Sequence, residues 1–287
     1  MTYKNKVKYD EELNENLRVD CEKCFGLCCV ALYFSASEGF PTNKDAGKPC
    51  INLQPDFKCT VHKSLRDNGL KGCMAYDCFG SGQKVAQVTY GGKDWRGNPE
   101  ISKEMFEVFL VMRQLHEMLW YLKEALSIPQ DNLVQNKIIN IIDETIRLTD
   151  LDPDSLIKLD LVAHRNNVNL LLAMTSEAVR SKERRGKKSN LNRKKIIAGR
   201  LNLIGLNLKK VNLRGEDLRG ALLIATDLRD VDLSGADLIG ADMRDTDIRG
   251  ANLSRSIFIT QAQINGAKGD SNTRLPISIV RPSHWDK

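Results

Sequence analysis

The chain has 287 residues, 28% of them charged, and a modest formal net charge of +6. That length allows two or three domains with sizeable cores. No apolar run approaches the roughly eighteen residues of a membrane span, and the opening MTYKNKVKYDEELNEN lacks the apolar centre of a signal peptide, so the expectation is a soluble, cytoplasmic protein.

Residues 1–20 read as a polar leader. All eight cysteines follow between Cys21 and Cys78, in a segment (21–98) with scattered Gly, Pro and Asp and no sustained periodicity. That texture suggests a small irregular domain held more by ligands than by an apolar core. In a cytosolic chain such clustering points to metal or redox chemistry, not disulfides. Cys21, Cys24, Cys28 and Cys29 place four thiols within nine residues, and Cys50, Cys59, Cys73 and Cys78 complete the set. Thiolates are soft ligands that favour zinc, copper(I) and iron–sulfur clusters. Zinc sites and iron–sulfur clusters each take four ligands, so eight thiols can fill two sites, or six or seven can serve a bridged arrangement. His62 stands three residues after Cys59 and is a further candidate ligand of the same ion. The Gly80–Gly82 and Gly91–Gly92 stretches lack a following phosphate-loop lysine pattern and read as turns.

This segment resembles the CxxCxxCC cysteine-cluster family, described as zinc- or iron-chelating. The resemblance runs through Cys21, Cys24, Cys28 and Cys29, then Cys50-Ile-Asn-Leu53, Cys59-Thr-Val-His62 and Cys73. The chain departs from the family in three ways. Three residues separate Cys24 from Cys28 where two are usual, His62 stands where an aromatic is common, and an Arg-Pro pair is absent. The resemblance implies metal ligation and leaves open zinc or an iron–sulfur cluster as the cofactor.

Residues 99–180 read as helical. Ile101, Met105, Val108, Met112, Leu115, Leu119, Leu122 and Leu126 alternate steps of four and three, which makes one apolar helical stripe ending before Pro129. A second helix is expected over 132–148, with Val134, Ile138, Ile141 and Ile142 on one face. Asp152-Pro153 reads as the cap and first turn of a third, continuing to Val179 with a break near His164. His116 sits inside the long helix as a packed or surface residue. Residues 181–195 form a basic linker. From Arg180 to Lys195 it carries nine Lys and Arg against one Glu, without interleaved aromatics for base stacking, so nucleic acid is not expected as a partner.

From Leu203 to Phe258 every fifth residue is large and apolar. Five fits neither the 3.6 of a helix nor the 2 of a strand. It fits a coil that turns a corner every five residues, four sides to a rung, with rungs about 4.8 Å apart. Small residues such as Ala221, Ala236, Ala241, Ala251 and Ser256 share the interior. Asp or Asn before each centre suits a corner. The pattern Ala236-Asp237-Leu238-Ile239-Gly240 resembles the pentapeptide repeat, which implies a right-handed quadrilateral β-helix over 196–260. The outward charges Lys209, Arg229 and Arg249 beside Asp227 and Asp247 read as a self-paired surface. Outward Ile204, Leu222 and Ile224, with Ile239, Ile257 and Ile259 on the preceding side, suggest a face covered by the helical region or the tail. Residues 261–287 lose the period and read as a cap.

The expected architecture is therefore an irregular Cys-rich metal-binding domain, an α-helical middle and a C-terminal β-helix. The function that follows is a metal-binding protein, zinc or iron–sulfur, with a repeat scaffold for a protein partner. The alternative is a metal- or iron–sulfur-dependent redox or modifying enzyme, although no paired carboxylates, nucleotide motif or nucleophile with a base stand out. A third reading, duplex-DNA mimicry as in some repeat proteins of this kind that act on topoisomerases, needs dense negative charge. Eight Lys and Arg against nine Asp and Glu from Leu203 to Phe258 do not supply it.

Overall fold

A computed structural model describes residues 13–184, 186, 191 and 196–286. Residues 1–12 of the expected leader, and 185, 187–190 and 192–195 of the expected linker, lie outside the described residues. The chain divides into two compact units, Met1–Gly72 with Cys78–Leu172 and Cys73–Asp77 with Ala173–Lys287.

In the first unit the cysteine segment is built from loops, isolated bridges and short helical turns, among them α1 (Leu27–Ala31), whose Leu27 and Val30 are fully buried. Aromatic packing anchors these loops, more than the sequence suggested. Phe34 stacks on Phe40 at 4.4 Å, and Phe57 packs edge-on to Trp95. The Arg96 guanidinium lies 4.8 Å from both the Phe57 and Trp95 rings, a geometry in which the ring faces attract the cation. A short helical turn, Ser81–Gln83, passes into a π-helix over Lys84–Thr89.

Helix α2 (Ser102–Ser127) forms the core of this unit. The residues Met105, Val108, Met112, Leu115 and Leu122 are completely buried, and Phe109 widens their stripe. It ends where Ile128 turns extended, as a residue before proline must. Helix α3 (Asn132–Thr149) starts on Asp131, whose carboxylate accepts the Val134 N–H at 2.9 Å. Helix α4 (Pro153–Ile157) is capped in the same way by Asp152. The expected break comes at residues 158–160 instead of near His164, because Asp160 accepts the Ala163 N–H at 3.0 Å and starts a new helix. That helix, α5 (Leu161–Arg184), buries His164, whose Nε2 lies 2.9 Å from Thr145 Oγ1. Its last turn extends four residues into the stretch assigned to the linker.

The second unit holds the C-terminal β-helix. A two-residue hairpin, β1 (Ile196–Ile197) and β2 (Arg200–Leu201), precedes it. Parallel bridges then join Asn202 to Leu222, Asn207 to Asp227, Asp217 to Asp237 and Asp237 to Ile257. The constant offset of twenty residues makes each rung four sides of five. The twelve large centres point inward, and Leu208, at 5%, is the most exposed of them. The Asp or Asn before a centre accepts the N–H two residues on, as at Asp237 and Ile239 (3.0 Å) or Asn202 and Ile204 (3.1 Å). Corners fall two residues after a centre, and most take left-handed backbone, with Gly at six of them and Ala225, Asp230 and Asp245 at three more. Inward hydroxyls are satisfied by the previous rung: Thr226 donates to Leu203 O and Thr246 to Leu223 O, both at 2.8 Å.

The end of α5 lies against this coil at Asp237, whose bridge partner Ile257 is on one of the two apolar sides expected to be covered, and not over the other. Ile204 is exposed, and Leu222 and Ile224 are half-buried. The helix docks instead over Gly215 and Gly235, stacked one rung apart. A Cβ at Gly215 would sit 2.5 Å from Arg180 O, and one at Gly235 would sit 2.3 Å from Glu183 Cγ. Bare corners let the helix approach, and outward charges fix it. Arg214 bonds Glu183 at 2.6 Å and also pairs with Asp232, Arg255 pairs with Glu183, and Ser176 Oγ donates to Asp237 at 2.6 Å. Ile257 and Ile259 are buried.

The tail keeps pairing after the period ends. Helix α6 (Gln261–Gly266) starts with a capping box between Thr260 and Gln263. Bridges from Asp247 to Lys268 and from Asn252 to Arg274 follow, and Ile264, Ile279 and Trp285 join the coil's core.

Candidate functional site

The thiols are positioned by main-chain contacts of the loops. Gly26 precedes α1 in left-handed backbone, at φ 63°. A side chain there would strike Leu53 Cδ1 at 2.5 Å and Phe57 O at 3.2 Å, so only glycine brings the helix this close to the loop. Helix α1 then carries Cys28 and Cys29. The Cys50 N–H donates to Cys29 O at 2.9 Å, which ties the second loop to the helix. Cys59 faces Leu53 across an antiparallel bridge.

All eight cysteines are free thiols. Cys28 Sγ lies 3.9 Å from Cys29 Sγ, Cys21 Sγ lies 3.7 Å from His62 Nε2, and Cys24 Sγ lies 3.3 Å from Cys21 O. His62 was expected beside Cys59, but the loop brings its ring to Cys21, while Cys59 hydrogen-bonds Cys29. Cys78 lies close enough to Cys24 and Cys28 for their charges to interact, and Cys50 likewise to Cys29. Cys73 sits in the short helix Lys71–Met74 and belongs to the second unit. Among the described residues, no three His, Cys, Asp or Glu donors surround a single point as metal ligands. The donors meet in pairs.

Of the thiols in these contacts only Cys24 is lowered, while Cys21, Cys28, Cys29 and Cys59 are raised. The bond to Cys24 raises Cys21, and the same bond lowers Cys24. The bonds that Cys29 makes with Cys28 and Cys59 makes with Cys29 raise both of those thiols, and burial adds to each. His62 is raised by its bond to Cys21.

One cation near this cluster carries no sequence signal. Lys44 Nζ donates to the carbonyls of Val30 (3.3 Å), Asp45 (2.9 Å) and Lys48 (2.8 Å), and its charge interacts with Cys50, Cys29 and Cys28. It closes the loop between Cys29 and Cys50 and sets a positive charge beside these sulfurs.

The second unit's coil contains pentapeptide repeats. Residues 217–255 match the pentapeptide repeats family in eight copies, and the coil extends this match by geometry to Asn202 and Ile257. Over 279 residues, 97% of this chain and 98% of the other, the sequence is 53% identical to "Uncharacterized protein YybG" of Bacillus subtilis (strain 168). The chain belongs to the family of that protein, and the relationship covers the thiol loops, the helices and the coil alike.

Proposed function

We infer that the first unit binds a thiophilic metal, as zinc or an iron–sulfur cluster, and that the coil is a stiff scaffold for a protein partner. The observation that carries the metal reading is the spacing of the paired donors. Two sulfurs about 2.3 Å from one tetrahedral zinc are about 3.8 Å apart, and a sulfur and an imidazole nitrogen about 3.6 Å. The Cys28–Cys29 and Cys21–His62 distances of 3.9 and 3.7 Å match those edges. Each pair is thus half of a tetrahedral site, with Cys24 and Cys78 adjoining one half and Cys50 and Cys59 the other. The donor chemistry fits zinc and iron–sulfur equally, and a bound cluster would add one-electron redox chemistry. Lys44 offsets the charge that four thiolates build up.

The scaffold reading rests on the coil's repeated backbone bonding and on its largely self-paired charges. Bidentate pairs recur at Asp227–Arg229, Asp242–Arg244 and Asp247–Arg249. The apolar line of Ile204, Leu222 and Ile224 is the surface a partner would contact.

Elemental analysis and an absorption spectrum of protein purified without oxygen test the metal reading. Zinc or iron at one to two sites' worth per chain is expected, with absorption near about 400 nm if the metal is an iron–sulfur cluster. Replacing Cys28 and Cys29 by serine should lower the metal content. Metal-free protein with all eight thiols freely reactive would refute the inference.

A further inference from the structure

The first unit contains a cleft of about 360 Å³ that none of the cysteines lines. Residues 13–23 form one wall, the π-helix Lys84–Thr89 a second, and the facing sides of α2 and α3 the floor. A π-helix widens a helical turn and often marks a functional site. Here it turns Lys84, Gln87 and Val88 toward the cleft.

His116 lies on the floor, 2% exposed, with Nδ1 2.8 Å from Phe79 O. A carbonyl only accepts, so Nδ1 carries the hydrogen and Nε2 keeps its lone pair. Phe79 holds that carbonyl in place from left-handed backbone, at φ 51°. Burial, together with the nearby Lys84 ammonium, lowers the ring's pKa to about 4, against a weaker opposing effect of the Phe79 carbonyl. At neutral pH the cleft therefore contains a fixed hydrogen-bond acceptor, Nε2, that bonds no described residue.

The rim carries opposite charges side by side. Lys84 pairs with Asp150 at 2.5 Å, and Lys23 pairs with Asp20 at 3.2 Å. With Glu15 also present, carboxylates outnumber ammonium groups three to two. That balance disfavours a phosphate dianion and matches a molecule bearing both charges. Leu13 in the wall and Leu119 in the floor, both buried, and the adjoining Ile146 offer an aliphatic surface.

We propose that this cleft binds a free amino acid with an aliphatic side chain. The carboxylate meets Lys84. The ammonium meets Asp150 or Asp20 and donates to His116 Nε2. The side chain lies on Leu119. Binding does not depend on any metal in the thiol cluster.

Calorimetric titration of the full chain with L-leucine tests the proposal, with N-acetyl-L-leucine, L-leucinamide and inorganic phosphate as comparisons. Leucine should bind saturably. Each blocked analogue should bind about ten-fold or more weakly, the usual effect of losing one charge-assisted hydrogen bond. Lys84→Met, whose side chain is near the surface, should weaken leucine to a similar degree while keeping the helical circular dichroism. Because His116 is buried and its variants are open to misfolding, the ring is read in the unaltered protein. Leucine should shift the imidazole Nε2 resonance while the ring stays neutral. No saturable leucine binding, equal binding of the N-acetyl form, or tighter binding of phosphate would each overturn the proposal.

Discussion

Asp237 gives the sharpest test of how the second unit is held together. Most acids at its position in the repeat are followed two residues later by an arginine that pairs with them. Asp247, bonded by Arg249, is an example, and its pKa is lowered. Asp237 is followed by Ile239 and is fully buried under α5, where Ser176 Oγ donates to it at 2.6 Å. Arg219 Nε stands 3.6 Å away, with Asp217 beside it, and Arg180 faces Asp217 at 3.5 Å. Desolvation is the largest influence and raises the Asp237 pKa from 3.8 to about 6 despite these donors. The folded state therefore binds this proton more tightly than the unfolded chain does. Stability is greatest below the unfolded pKa and falls as pH rises through the window from about 4 to 6. A shift of roughly two units at about 1.4 kcal/mol each sets the loss near 3 kcal/mol. Asp237→Asn imitates the protonated side chain and keeps the acceptor for the Ile239 N–H. It should remove most of this pH dependence and stabilise the second unit at pH 8. Hydrogen exchange at the coil's amides is the right assay, because it reports this unit apart from the first. Exchange protection that stays flat between pH 4 and 7 in the unaltered protein, or an Asn variant as pH-sensitive as the parent, would show that the buried carboxylate is not under this strain.

Two further predictions separate the parts of the coil. Gly235→Ala puts a methyl 2.3 Å from Glu183 Cγ, whereas Gly240→Ala meets nothing within 4 Å, and both backbones are left-handed. Both variants should bear the left-handed penalty of about 1–2 kcal/mol, and only Gly235→Ala should add an overpacking cost of about 1–3 kcal/mol; equal losses in urea unfolding would mean the helix does not rest on that corner. Thr246→Val keeps the shape of a fully buried side chain but deletes its 2.8 Å bond to Leu223 O. About 1 kcal/mol should be lost, and an unchanged urea midpoint would show that the inward hydroxyl contributes nothing.

The coil was legible because its signal is local and repeated. Five residues carry one inward side chain, one small neighbour and one Asx corner, so each repeat independently votes for the same geometry. The stripe of α2 was legible for the same reason. The seat of α5 was not. Glycine corners stack one rung apart at Gly215 and Gly235 and also at Gly220 and Gly240, and nothing in the repeat separates the two pairs. The choice depends on Glu183 and Ser176, which lie on an element outside the pattern. Apolar Ile204, Leu222 and Ile224 looked the better candidates, yet a helix ending in Arg180, Glu183 and Arg184 fits a charged groove more closely than an oily ridge. At the thiols, spacing grouped eight cysteines but did not show how they pair, and Cys73 falls in the second unit. Cys28 and Cys29 are neighbours in sequence, whereas Cys21 and His62 meet only because separate loops cross. His116 gave even less warning, since an imidazole on a helix's buried stripe looks the same whether it packs or lines a cleft.

The C-terminal end shows how a repeat is stopped. An open rung leaves a row of unpaired backbone groups, the kind of edge that recruits another chain. Here the register first slips. Bridges twenty residues apart become twenty-one at Lys268 and twenty-two at Arg274. The inward hydroxyl slips by the same two residues, because Thr226 reaches back twenty-three residues to Leu203 O while Thr273 reaches back twenty-five to Ile248 O. Thr273 thus fills a repeat position that the sequence pattern no longer displays. Side chains then replace the missing next rung. Gln263 Nε2 donates to Leu238 O at 2.8 Å and to Ala241 O at 2.9 Å, and Arg281 donates to Thr273 O at 2.7 Å. Ile279 and Trp285 cover the aliphatic interior. Loss of the period in the tail is therefore the means of closure: a further perfect repeat would only have moved the open edge one side onward.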